Sequence, residues 1–77
     1  MKTYYPMATY GGKTDNFHTL TTYDSLNSIS DCLKVFETWL SSGFKIDRMW
    51  IQEFELGEKT PIREIKVELK PVVVEEE

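Results

Sequence analysis

Residues 28–56 read SISDCLKVFETWLSSGFKIDRMWIQEFEL, and the spacing of their apolar residues changes at Gly43. Before that glycine, Ile29, Cys32, Leu33, Phe36 and Leu40 recur at i, i+3, i+4, i+7 and i+11, with Val35 and Trp39 widening the same stripe. At about 100° per residue they fill an arc of roughly 180°, and Ser30, Asp31, Lys34, Glu37, Thr38 and Ser41 take the other half. The spacing predicts an amphipathic helix. Its ends agree: Ser28 with Asp31 three residues on is close to a capping box, the acid suits the positive helix N-terminus, and Gly43 is placed for the left-handed conformation that closes a helix.

Beyond Gly43 the period falls to two. Phe44, Ile46, Trp50, Phe54 and Leu56 occupy even positions, while the odd positions hold Lys45, Asp47, Glu53 and Glu55 together with Met49 and Ile51. This predicts a long strand with one apolar face and a second face apolar only at its middle. Residues 57–61 (GEKTP) have turn chemistry, after which Ile65, Val67 and Leu69 alternate with charges until Pro71. Those two strands form a hairpin.

Upstream, residues 3–10 and 17–23 are rich in Tyr and Thr, both strand formers, and are separated by the turn segment 11–16 (GGKTDN). They predict a second hairpin, with Pro6 pointing to an edge or a bulge. The expected fold is α+β in the order β-β-α-β-β, one mainly antiparallel sheet with one helix on one face. A single domain covers residues 1–71, and 72–77 form a flexible acidic tail; the sharper alternative for the tail is strand addition to a neighbouring subunit.

A chain of 77 residues supports one small domain, and 40% apolar with 29% charged residues is the balance of an ordinary folded one. The longest apolar run, Val72 to Val74, is far short of the roughly 20 residues that cross a bilayer. A lone cysteine and an N-terminal stretch without an apolar signal region point to the cytoplasm. The net charge is −4, but Glu75, Glu76 and Glu77 are three of the 13 acids, so residues 1–74 hold ten acids against nine bases. Those bases are scattered singly rather than clustered, which argues against nucleic acid as a partner.

No catalytic constellation stands out. Gly12-Lys13-Thr14 matches only the end of a phosphate-binding loop, because Met7 stands where the first glycine belongs and no helix follows. Cys32 and His18 are too few for a protein-only zinc site, and a thiol on the apolar stripe is an inert core residue. Glu53 with Glu55, and Glu64 with Glu68, share strand faces as solvated carboxylates commonly do. The expectation is no enzyme, no metal and no cofactor.

The aromatic residues carry what functional signal there is. Tyr4 and Tyr5 are adjacent, so in a strand one of them faces away from the helix, and one helix covers only one sheet face. The candidate protein contacts are therefore Tyr4, Tyr5, Tyr10, Met49 and Ile51, on an apolar second face of a type enriched at interfaces. The expected function is a small non-catalytic cytoplasmic interaction module, binding a protein partner or itself as a homodimer, since small domains gain core by oligomerising. A regulator or inhibitor of the kind carried by phages and mobile elements fits the same size and mild acidity. The alternative is a subunit of a small homo-oligomeric enzyme or ligand-binding protein with a shared pocket.

Overall fold

The structure, a computed structural model, describes residues 1–11 and 18–74. Gly12-Lys13-Thr14 and the terminal glutamates lie outside the described residues. The elements are β1 (Lys2–Tyr10), β2 (His18–Thr21), α1 (Ile29–Ser41), β3 (Ile46–Glu55), β4 (Arg63–Val67) and β5 (Val73–Val74). They form one antiparallel five-stranded sheet in the order β2-β1-β3-β4-β5, with α1 against one face. The α+β class and the β-β-α-β-β order expected from the sequence are found, with the short β5 added after them. The two hairpins join through β1 and β3, which pair from Lys2↔Glu55 to Tyr10↔Ile46.

The helix begins and ends as its sequence dictates. Ser28 is extended (φ −152°, ψ 159°) and its hydroxyl accepts the Asp31 amide at 3.1 Å, while Gly43 takes φ 91° just past the last turn. Cys32 and Phe36 are fully buried and meet Ala8, Ile46, Met49, Ile51, Ile65 and Val67 from the sheet. Leu33, Trp39, Leu40 and Phe44 close the margins of this core.

Pro6 was expected at an edge or a bulge; it sits in a central strand, and the irregularity in that strand's pairing falls further on, between Thr9 and Tyr10. Tyr4 exchanges both backbone bonds with Leu26, so by alternation the Pro6 nitrogen faces the same side. The β2 ladder ends at Met7↔Thr21, one residue short of Pro6, so no partner strand there requires its missing N–H.

Two expectations are corrected. The pairing of β3 with β1 jumps from Thr9↔Arg48 to Tyr10↔Ile46, leaving Asp47 as an extra residue. A bulge reverses the phase of a strand, so Ile46 lies under the helix together with Met49 and Ile51, not with Trp50 and Phe54. The chain also does not stop pairing at Pro71: Val73 and Val74 turn back onto Val67 and Lys66 of β4. The β4 strand is correspondingly shorter than the alternation suggested, and Leu69 is exposed.

Candidate functional site

Strand register assigns every side chain to a face. Opposite Pro6, Ala8 and Tyr4 stand Ile51, Met49 and Glu53, and beyond them Ile65, Val67 and Arg63; these form the covered face. The alternate residues Tyr5, Met7 and Thr9 of β1, with Arg48, Trp50, Gln52 and Phe54 of β3 and Glu64 and Lys66 of β4, form the open one. Among the described residues α1 is the one helix, and it lies on the covered side.

Of the five contact candidates, only Tyr5 is on the open face. Met49 (3% exposed) and Ile51 (0% exposed) are core residues under the helix, the consequence of the Asp47 bulge. Tyr4 packs at the edge of the core and faces Glu53, and Tyr10 has its ring 5.1 Å from Phe44 and 5.2 Å from His18. Sequence reasoning missed Met7, Trp50 and Phe54. A signal existed: apolar residues at 44 and 46, then at 49 and 51, with Asp47-Arg48 between them, mark a one-residue phase shift. Trp50 and Phe54 keep the even rhythm and hide it.

The open face is built around aromatic rings. Tyr5 and Phe54 meet edge to face at 5.5 Å and 82°, and the Arg48 guanidinium lies 5.0 Å from the centroid of the Trp50 ring. Trp50 pairs with Met7 on one side and Lys66 on the other. Tyr5, Met7, Trp50 and Phe54 are all half-buried. The Trp50 indole Nε1 is buried and has no acceptor among the described residues. Toward β5 the face runs into a groove of about 660 Å³, lined by Arg48, Trp50, Lys66, Leu69, Lys70 and Val72 among others.

The other titratable groups have structural surroundings. Glu53 is 2% exposed; its Oε1 accepts the Arg63 Nε–H at 2.7 Å, and Lys2 lies 3.9 Å from its other oxygen. Burial pushes its carboxyl up, but the Arg63 hydrogen bond and charge, with Lys2, hold it below the usual carboxylate value. Burial, and then the Glu53 charge, push the Tyr4 phenol up. Glu53 therefore ties β1, β3 and β4 together and is not the solvated partner of Glu55 that the sequence suggested. The Cys32 thiol is pushed up to about 12, chiefly by burial and then by Asp31, whereas His18 is exposed on β2. The structure does not assemble them into a nucleophile and base: one lies in the core and the other on an edge strand. Among the described residues no three His, Cys, Asp or Glu side chains are grouped to hold a metal, and no helix is long and apolar enough to cross a membrane.

Comparison with known proteins finds no family model that matches the chain, no matching curated protein and no matching solved structure.

Proposed function

We propose that the chain is a non-catalytic protein-interaction module that works in the cytoplasm and binds through the open face of its sheet, either to a second copy of itself or to a larger protein. The observation that carries the reading is the row Tyr5, Met7, Trp50 and Phe54, contiguous across the two central strands with no helix layered over it among the described residues. Tyr, Trp, Met and Arg are the residue types that concentrate at protein interfaces, and Arg48 on Trp50 adds a planar donor to the patch. The buried, unactivated Cys32 and the Glu53 clamp support a non-catalytic role, because both are spent on the fold. The free cysteine also suits a reducing compartment.

A photo-cross-linker tests this. Benzoylphenylalanine in place of Tyr5 is expected to give protein adducts on irradiation in extract of the native cells, far above the same group placed at exposed Lys34 on the helix. Equal labelling at the two positions would remove the reading. So would tight, salt-sensitive binding of a single-stranded oligonucleotide that Trp50→Ser abolishes, since stacked aromatics with Arg and Lys can also hold bases.

A further inference from the structure

Resting on that reading, we infer that the occupant of the open face is a second copy of this chain, packed sheet to sheet about a twofold axis that crosses the strands at the level of Trp50. A contact between identical surfaces must be self-complementary, and the register supplies the complementarity. Trp50 is level with Met7 and Lys66; Arg48 lies two residues toward one end of β3, and the Gln52↔Glu64 pair two residues toward the other. Each offset is about 7 Å along the strand, and β3 and β4 are about 4.8 Å apart. Turning a copy by 180° about an in-plane axis through Trp50 exchanges the two levels. Arg48 then faces Gln52 and Glu64 of the partner subunit, twice in each dimer, while Trp50, Met7 and Lys66 meet their own counterparts, the two lysines at the margin of the patch with a Glu64 two residues to either side.

Two observations favour this occupant. Arg48 and Glu64 are both exposed on this face, and neither has an ion pair among the described residues; Arg48 rests on the Trp50 ring. Opposite charges at mirrored offsets from an apolar centre are what a twofold contact uses, and a sheet separation of about 10 Å leaves room for an Arg and a Glu side chain to meet. The size also fits. The five strands hold nine, four, ten, five and two residues, so at about 3.3 Å per residue and 4.8 Å per strand the face projects to about 480 Å². Side-chain relief brings that toward the roughly 600 Å² per partner of a weak, concentration-dependent interface.

The experiment is solution mass by size exclusion with light scattering, over a dilution series up to about 1 mM, for the intact chain, Trp50→Ser, Arg48→Glu, Glu64→Arg and the double exchange Arg48→Glu with Glu64→Arg. The intact chain is expected at twice its 9.0 kDa mass at high concentration, and Trp50→Ser at the monomer mass. Each single reversal sets like charges against each other and should raise the dimer Kd about tenfold or more, and the double exchange should bring it back to within about threefold. Arg48 and Glu64 are exposed, so these variants fold even if Trp50→Ser does not. A monomer at every concentration, a dimer indifferent to Trp50 and to both reversals, or a double exchange no better than the singles would each overturn the inference. A monomer whose Tyr5 position still cross-links another protein would overturn the dimer and keep the interaction reading; a monomer that cross-links nothing there would end both.

Discussion

The same three strands present two unlike surfaces. On the covered side Ala8, Ile51 and Ile65 have no exposure, and the helix reaches them with Cys32 and Phe36. On the open side, one residue away along each strand, stand Tyr5, Met7, Trp50 and Phe54, all half-buried. The covered face is aliphatic and small because a helix packs close only where side chains are compact. Its lone charged cluster, Glu53 with Arg63 and Lys2, is paired at the sheet's end. The open face is aromatic and cationic, with rings that shield one another edge to face. The contrast separates what holds the fold from the face on which the proposed contact rests.

The largest expected difference between the faces is chemical. With its thiol pushed up to about 12, native Cys32 holds about a thousandfold less thiolate at neutral pH than an ordinary cysteine. Maleimide labelling should therefore wait for unfolding, whereas a Met7→Cys variant, placed on the open face in a Cys32→Ala background and diluted until the chain is monomeric, should label at the rate of a partly exposed thiol. Rapid labelling of native Cys32 would break the comparison and revive the enzyme alternative. Next comes packing. Phe36→Ala empties the centre of the covered face and should cost about 3–5 kcal/mol in urea unfolding. Trp50→Ser removes a ring that is only half-buried and should cost well under half of that, about 1–2 kcal/mol. Equal losses would mean that both faces are core.

How much of this was legible follows from the same alternation. The helix and its caps could be read because a 13-residue amphipathic segment is decided by local spacing and by Ser28 and Gly43. The hairpins could be read from their turns. The site could not, because the face that a strand residue occupies depends on phase, and one extra residue, Asp47, inverts it for all of β3 beyond that point. That single slip moved Met49 and Ile51 to the wrong side and hid Trp50 and Phe54. The Glu53 cluster was illegible for another reason: its partners Lys2 and Arg63 lie on two other strands, and only the sheet order brings them together.

Acid sharpens the contrast at the sheet's end. Glu53 is held below the ordinary carboxylate value in the folded state, so its contribution is full above about pH 4.3 and is lost as pH falls through its lower folded value. Urea midpoints should fall over that acid range in the intact chain and fall less steeply in Glu53→Gln. At neutral pH that variant should lose about 1–3 kcal/mol, because Arg63 and Lys2 are left without their carboxylate. A pH profile that Glu53→Gln leaves unchanged would show that the cluster does not hold the strands together.

The smallest effect concerns β5, which belongs to both faces at once. Val73 lies opposite Val67 on the covered side and Val74 opposite Lys66 on the open side. Val73 and Val74 are half-buried, so deleting residues 72–77 should cost only about 1 kcal/mol of stability. It also uncovers the outer edge of β4, and exposed edges invite pairing with other chains. The association state decides what β5 is for. If the mass profile of the truncated chain matches that of the intact one, β5 caps its own sheet and the dimer contact lies on the flat of the face, as Arg48 and Glu64 require. If truncation abolishes association, the tail was lending its strand to a neighbour, and the twofold axis at Trp50 gives way to an edge-to-edge contact.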